Sequence, residues 1–241
     1  MLTCRGFGIL FSAACLTVLA AAQAGAEPAL PAPFQKYLDS PAFASRLSDA
    51  LAMAKTTHFA DCGTFKASAP RIVPLSQITL GDDGLPKSGQ WKVSAAAEGC
   101  GKARIVNFFF VVGKDDKVFF VQAIPGTTRG DFRLQSDTVM YVLMAAVKQT
   151  KDCKGASISD TRFDSEDPLH DGKSAGGIAL QFQKSWHETW TIDGCGHFYD
   201  VRVDYLLGPA GTTIMASDKN VTERPSPDAK PSDAAVQPAP K

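Results

Sequence analysis

The sequence predicts an α+β protein made of two tandem repeats, each with one helix packed on a mainly antiparallel sheet and stapled by one disulfide. A Trp-to-Cys-Gly pattern occurs twice, at residues 91–101 and 190–196. A helix-like stretch ending in Asp-Cys precedes each copy, and the triplet Gly-Thr-Thr follows each. A helix that precedes a run of strands is typical of α+β units, and its recurrence indicates a repeat.

The first residues have the layout of a secretory signal peptide. Arg5 is basic, residues 6–22 are small and apolar, and residues 24–26 supply small side chains for cleavage. We therefore predict a signal peptide over 1–26 and an exported bacterial protein, periplasmic or secreted. Lipidation at Cys15 is an alternative, but no leucine stands three residues before it and the apolar run continues beyond it.

The composition excludes several classes of protein. The chain has 241 residues, 25 Lys+Arg, 25 Asp+Glu and 44% apolar residues, which is an ordinary globular composition. Its zero net charge excludes a nucleic-acid binder held by bulk positive charge. No later stretch reaches 18 apolar residues, so we expect no transmembrane segment after cleavage. Phosphate-loop, dinucleotide and zinc-protease motifs are missing, and we predict no cofactor.

The first repeat is predicted over residues 40–130, after an extended lead-in over 27–39. Ser40 and Pro41 predict a helix start, because serine caps free N–H groups and proline suits the first turn. Apolar side chains then recur at helical spacing, at Phe43, Leu47, Ala50, Leu51 and Ala54.

The strands of the first repeat follow this helix. Residues 71–80 predict a strand at a sheet edge, because Pro74 has no N–H to donate. Two apolar runs, 104–112 and 117–124, flank the turn-forming residues 113–116 and predict a hairpin.

The second repeat is predicted over residues 131–216. Ser136 and Asp137 open its helix, whose apolar face we predict to contain Val139, Leu143, Ala146 and Val147. Strands are expected at 156–163, 178–183, 186–193, 198–207 and 212–216. The proline-rich residues 217–241 contain few large apolar side chains and predict a disordered tail.

Four cysteines remain after the leader is removed: Cys62, Cys100, Cys153 and Cys195. An even number in an exported chain predicts disulfides, and four cysteines allow three pairings. We favour Cys62–Cys100 and Cys153–Cys195, because a duplicated unit should carry its own staple. Each bond would close a loop of about 40 residues and contribute at most roughly 4 kcal/mol.

The pattern E-x-W-x-[VI]-x-x-C-G runs from Glu188 to Gly196, followed by alternating apolar residues and Gly-Thr-Thr at 211–213. It resembles a signature of uncharacterised secreted proteins and lipoproteins of Gram-negative bacteria. The likeness covers about 30 residues and is looser in the first repeat, where no glutamate stands two residues before Trp91. The resemblance implies an exported protein of a Gram-negative bacterium and transfers no catalytic residue.

Ser174 is the candidate nucleophile of the sequence, at the centre of a G-x-S-x-G match over 172–176. A nucleophile elbow needs a strand before the serine and a helix after it. The residues before Ser174 are polar and those after it predict a strand, so a flexible loop is favoured. A small secreted serine hydrolase using Ser174 is kept as an alternative.

His58 and His197 are candidate metal ligands, because each lies near a cysteine and imidazole with thiolate suits zinc or copper. Thioethers of Met140 and Met144 could add to such a site. Oxidised cysteines favour the opposite interpretation, in which these residues are structural. A periplasmic metal-binding protein is the second alternative.

Trp186, His187 and Tyr199 are the candidate binding residues, because they concentrate aromatic surface in the second repeat. On a strand, Trp186 and Trp190 share one face and His187 lies on the other; Trp190 is predicted to be a core residue. The acidic residues of 160–167 lack the spacing of a calcium loop and predict a solvated loop.

Together these observations predict an exported, non-catalytic binding or envelope-associated protein. Its partner would be an unknown envelope or extracellular component. A groove between the two repeats is the default ligand site, because pockets commonly form where two packed units meet.

Overall fold

The computed structural model describes residues 30–167, 184–208 and 210–225. Within these ranges it contains helices α1 (Ala32–Leu38), α2 (Pro41–His58) and α3 (Phe132–Ala145). The strands are β1 (Lys66–Ala67), β2 (Arg71–Pro74), β3 (Thr79–Leu80), β4 (Pro86–Ser88), β5 (Gln90–Gly99), β6 (Lys102–Val112), β7 (Val118–Gln122), β8 (Ser157–Asp167), β9 (Lys184–Gly194), β10 (His197–Gly208) and β11 (Gly211–Arg224). The mixture of helices and antiparallel sheets confirms the α+β class. None of the described helices has the length and apolarity to cross a membrane.

Helix α2 begins as the sequence predicts. Ser40 is its N-cap, and its hydroxyl oxygen accepts a hydrogen bond from the backbone N–H of Phe43. The extended lead-in is wrong in part, because residues 32–38 form α1. Phe34 and Tyr37 of this short helix are buried. Their packing stabilises the helix, because seven residues are too few for a helix that is stable by itself.

The first half of the molecule, residues 32–130, is built on a five-stranded antiparallel sheet. Its order is β1-β5-β6-β7, and β2 pairs with β5 as well. The predicted β6–β7 hairpin is confirmed. The predicted strand over 71–80 is shorter, because only 71–74 pair with β5, and β3 pairs with β4 in a separate ribbon.

Aromatic rings fill the core of the first half. Trp91 stacks on Phe110 with ring centroids 5.7 Å apart, and Phe34 and Tyr37 meet Trp91 edge-on. Phe43 of α2 packs on the same cluster. Helices α1 and α2 are therefore held on the sheet by aromatic burial.

The second half, residues 131–225, begins with α3. Asp131 is the N-cap and accepts from the N–H of Leu134, so the helix starts earlier than the predicted Ser136. The buried residues of α3 are Gln135, Thr138, Val142 and Ala145, and the predicted Val139, Leu143 and Ala146 pack against the same core. The predicted core position Val147 is 57% exposed, because it follows the end of the helix.

Helix α3 packs on a four-stranded antiparallel sheet of order β11-β10-β9-β8. The predicted strand over 178–183 lies outside the described residues. Strand β11 extends to Arg224, eight residues beyond the predicted limit of 216, because its far end pairs with β10. Residues 217–224 therefore belong to the sheet, and residues 226–241 lie outside the described part.

Both predicted disulfides are confirmed, with Cα–Cα distances of 5.4 Å for Cys62–Cys100 and 5.7 Å for Cys153–Cys195. In each pair the second cysteine occupies the turn of a hairpin. Cys100 and Cys195 have φ values of 52° and 58°, and a glycine with positive φ follows each. Two consecutive residues with positive φ form the tight turn that matches the twist of paired strands.

Residues 125–129 join the two halves. The N–H of Gly126 donates to the carbonyl of Ile105 in β6, and the N–H of Thr127 donates to the carbonyl of Thr161 in β8. The hydroxyl of Thr161 donates to the carbonyl of Pro125. This segment therefore carries hydrogen bonds from one sheet to the other.

Candidate functional site

A buried carboxylate lies where the two halves meet. Glu188 of β9 is 0% exposed. Its Oε1 accepts from the Trp186 indole N–H at 3.0 Å and from the backbone N–H of Arg129 at 2.8 Å. Its Oε2 accepts from the Trp190 indole N–H at 2.9 Å. These donors replace the water that a buried carboxylate loses.

A half-buried lysine of the first half carries the complementary charge. Lys92 of β5 donates from Nζ to the carbonyl of Thr128 at 2.7 Å. Burial lowers the pKa of Lys92 to about 8, although the nearby carboxylate of Glu188 acts to raise it. Glu188 is fully buried and Lys92 is half-buried, and their opposite charges attract each other where the two halves meet.

The predicted aromatic candidates lie on the same side of the second sheet as Glu188. Trp186 is partly buried and stacks on Tyr205 with centroids 4.7 Å apart. Burial raises the pKa of Tyr205, whose hydroxyl donates to Thr138 Oγ1. Tyr199 is buried and Trp190 is fully buried. The prediction that Trp190 is a core residue is confirmed.

His187 lies on the opposite face of the sheet, as predicted from strand alternation. Its Nε2 is 2.6 Å from Asp167 Oδ2 and its Nδ1 is 2.5 Å from Asp204 Oδ1. Burial acts to lower the pKa of His187, but the two carboxylates outweigh it and the pKa is raised. The ring links β8 to β10 across β9, so it is a staple within the sheet and is not brought together with Trp186 or Tyr199.

The rest of this polar face is also paired within itself. Arg162 contacts Asp164, and Thr189 donates to the same carboxylate. Thr191 donates to Asp200 at 2.7 Å. The acidic residues predicted to lie in a solvated loop are part of strand β8, where Asp164 pairs with Arg162 of the same strand and Glu166 pairs with Lys184 of β9.

The two metal candidates are far from a ligand set. His58 Nδ1 is 3.1 Å from Arg104, and its Nε2 is 2.6 Å from the Gln122 amide. Burial and the charge of Arg104 lower the pKa of His58 to about 4. His197 is exposed beside Glu223. The neighbouring cysteines are disulfide-bonded, and across the described ranges no three His, Cys, Asp or Glu side chains are placed to hold a metal.

Ser174 lies outside the described residues. The serine-hydrolase alternative therefore stays a prediction from the sequence, without a geometry to support it.

The most prominent exposed feature of the second half is an apolar surface on α3 and the turn that follows it. We call it the helix patch. Its side chains are between 48% and 67% exposed. They are Met140, Tyr141, Met144 and Val147. The opposite side of α3 is anchored by Val142 and Ala145 in the core, so the patch is presented on a fixed element.

A shallow groove of about 350 Å³ runs along the patch, between α3 and β11. Tyr141, Met144 and Val147 form its apolar wall. Lys148 and Asp218 close one side through an ion pair between their exposed side chains. The groove can accept an apolar segment, and it offers no buried acid, base or nucleophile for chemistry.

The residues of this patch are visible in the sequence, because Met140, Met144 and Val147 recur at helical spacing. We predicted other roles for them: possible thioether ligands for the two methionines and a core position for Val147. Val142 and Ala145 face the core, and this orientation places the row of Met140, Met144 and Val147 on the solvent side. Both rows are apolar, so the sequence alone does not tell which of them faces the sheet.

No protein-family model, curated protein sequence or solved structure matches this chain. The assignment of a function therefore rests on the geometry of its own residues.

Proposed function

We propose that this chain is an exported, non-catalytic binding protein that holds an apolar segment of an envelope protein on its helix patch. The observation that carries the proposal is the row of large apolar side chains on α3 and the turn after it, each about half exposed or more. Contiguous apolar surface of this kind marks interaction sites in folded proteins. Methionine suits such a surface, because its flexible thioether adapts to the shape of a partner.

The charges around the patch favour a protein partner over an anionic membrane. Lys148 is already paired with Asp218, and Asp137 lies exposed on the same helix. Binding to anionic lipid needs a cluster of unpaired basic side chains. The border of the helix patch supplies mixed charge, which suits the polar rim of a protein interface.

Export is part of the proposal. The leader over 1–26 and the two disulfides support it, because disulfides persist in oxidising compartments. Intact mass of protein from an exporting host tests this part. We expect a chain that begins at Glu27 and lacks free thiols, and a retained leader or free cysteines would contradict it.

We further propose that the two halves are diverged copies of one unit. In each half a helix precedes a cysteine that is bonded to the turn of a hairpin. The strand orders also correspond, with β2-β5-β6-β7 in one half and β8-β9-β10-β11 in the other. Parallel placement of a tryptophan, a disulfide and a hairpin supports duplication of a self-stapled unit.

Site-specific photo-crosslinking in the exporting host tests the binding function. A photoreactive residue at Met144 should capture a defined envelope protein, and the same residue at Arg162 on the polar face should not. The double change Met140→Glu with Met144→Glu should abolish binding of that protein at unchanged thermal stability. Met53→Glu is the matched control, because Met53 is 43% exposed on α2 and should leave binding intact.

Two results would overturn the proposal. One is capture of the same proteins from Met144 and Arg162. The other is binding that survives both glutamates on the helix patch.

A further inference from the structure

Strand β7 forms an unprotected edge of the first sheet. Among the described strands it pairs with β6 alone, and its register with β6 is unbroken. Its sequence is Val-Phe-Phe-Val-Gln, without charge or proline. Natural sheet edges usually carry charges, prolines or bulges, because an unprotected edge pairs with another strand.

The hydrogen bonds around β7 identify which of its backbone groups point outward. Ala123 donates to the carbonyl of Asn107, and Gly113 donates to the carbonyl of Lys117. In an antiparallel pair this bonding alternates along the strand, so Val118, Phe120 and Gln122 direct their N–H and C=O groups away from β6. Within the described residues these outward groups have no hydrogen-bond partner.

The strand is complementary to a second copy of itself. A two-fold axis at Phe120 places Phe120 opposite Phe120 of the other copy, and Val118 opposite Gln122. Each residue with outward groups then meets another residue with outward groups, which is the requirement for a hydrogen-bonded antiparallel pair. A register shifted by one residue would lose this match.

The side chains on one face suit the same register. Phe119 is 53% exposed and Val121 is 45% exposed, and the two-fold axis places each opposite the other. Phe132 is 52% exposed and packs edge-on against Phe109, which is the β6 partner of Val121. Pairing would cover this apolar surface, and it would place Lys117 opposite Ala123, so no like charges would oppose each other.

From this self-complementary edge we propose that two copies of the chain associate through antiparallel β7 strands centred on Phe120. The first-half sheets of the two copies then form one continuous sheet. This surface shares no residue with the helix patch, so it goes beyond the proposed binding function and does not depend on it.

The mass of the purified exported chain in solution, measured by light scattering during size-exclusion chromatography, tests the proposal. We expect a dimer. Phe120→Pro should give a monomer, because proline removes an outward N–H and leaves the bonds to β6 in place. Phe119→Lys with Val121→Lys is a second disrupting variant that keeps the backbone unchanged. Met140→Glu is the control, and it should remain dimeric.

Cysteine cross-linking fixes the register. Phe120→Cys should form a disulfide-linked dimer under mild oxidation, because the two-fold axis places residue 120 opposite itself. Val118→Cys should not, because its opposite residue is Gln122. A monomeric mass at every concentration tested, or a dimer that survives Phe120→Pro and lacks the Phe120→Cys cross-link, would overturn the proposal. Cross-linking of Phe120→Cys to a different protein would also overturn it, in favour of a foreign strand.

Discussion

Each half has a buried tryptophan on a central strand, but only one of the two indole N–H groups has a hydrogen-bond acceptor within the described part of the chain. Trp91 and Trp190 are both 0% exposed on a central strand. Trp190 donates to Glu188, whereas the N–H of Trp91 has no partner among the described residues. The residue two positions earlier explains the difference, because the second half has Glu188 where the first half has Gly89.

A buried tryptophan is therefore stabilised in two different ways in this molecule. Around Trp91 the ring packs on Phe110, and aromatic contact is the main contribution. Around Trp190 the buried carboxylate of Glu188 accepts hydrogen bonds from two indole N–H groups and from the backbone N–H of Arg129. It also attracts the charge of Lys92. The second arrangement requires partners from both halves, so it specifies how they meet as well as how each is packed.

The two Gly-Thr-Thr segments differ in a similar way. Gly126 has a φ of 102° and lies against Thr161, whereas Gly211 has a φ of 126° in an open hairpin turn. The first glycine is required by close approach of two backbones, and the second only by the turn. The same triplet therefore joins the halves in one place and reverses a strand in the other.

The largest effect is expected from alanine at these glycines. A Cβ at Gly126 would overlap the backbone of Thr161, so Gly126→Ala should prevent stable folding. Gly211→Ala meets no atom within 4 Å and should cost only about 1–2 kcal/mol of backbone strain. Urea unfolding of both variants measures the contrast. Equal losses would contradict the different roles of the two triplets.

The buried charge pair gives the next largest effect. Glu188→Leu should lower the free energy of unfolding by about 3–5 kcal/mol, because three N–H groups lose their acceptor and Lys92 loses the attraction of a nearby negative charge. Adding Lys92→Met should recover part of this loss, since it removes the uncompensated charge. A double-mutant cycle in chemical denaturation measures the coupling. Strictly additive losses would show that the two residues do not interact.

Replacing each tryptophan by phenylalanine should separate the two ways of stabilising the ring. Both changes remove similar buried area, but Trp190→Phe also deprives Glu188 of a donor. We therefore expect Trp190→Phe to cost about 1–2 kcal/mol more than Trp91→Phe. Thermal unfolding of the pair at neutral pH measures the difference. A larger cost for Trp91→Phe would refute the proposed role of the carboxylate.

A smaller effect on stability is expected from His58 when the pH is lowered. Its pKa is about 4 in the folded chain, below the ordinary value of 6.5. The unfolded chain takes up this proton first, so stability falls as the pH drops from 6.5 towards 4. His58→Gln cannot titrate, and its loss over this window should be smaller by on the order of 1 kcal/mol after solvent screening. Unfolding at pH 7, 5.5 and 4.5 tests it, and identical pH slopes would contradict it.

His187 should behave in the opposite sense. Its pKa is raised in the folded chain, so its contribution is full below the ordinary value of 6.5. That contribution is lost as the pH rises through the raised pKa. His187→Gln should therefore destabilise the protein more at pH 6 than at pH 9. The same destabilisation at both values would mean that Asp167 and Asp204 do not hold the ring protonated.

Local patterns were sufficient for part of this structure. The cap at Ser40, the β6–β7 hairpin and both disulfide pairings followed from turn residues, helical spacing and the recurrence of a cysteine pattern. The alternation of Trp186, His187 and Trp190 about β9 also followed, because side chains alternate along any strand. These features depend on neighbours in sequence or on a repeated pattern.

The candidate site was less predictable. Helix α3 carries apolar side chains on its sheet side and on its solvent side, so hydrophobic spacing alone does not tell which row forms the helix patch. The start of the helix was also open, because Asp131 and Ser136 are both plausible caps. Gln135 supports the earlier start by donating to the carbonyl of Gly130, and it also accepts from the N–H of Ile124, a contact that only the folded chain provides.

The α+β class, the two disulfide-bonded hairpins and the core tryptophans could all be predicted from residue patterns. Three features depend on the folded chain: Glu188 lies near Lys92 and bonds to Arg129, Gly126 lies against Thr161, and β11 extends to Arg224. These features join residues that are far apart in the sequence. Turns, caps and alternation are set within a few residues, whereas a buried charge finds its partner only when two sheets are brought together.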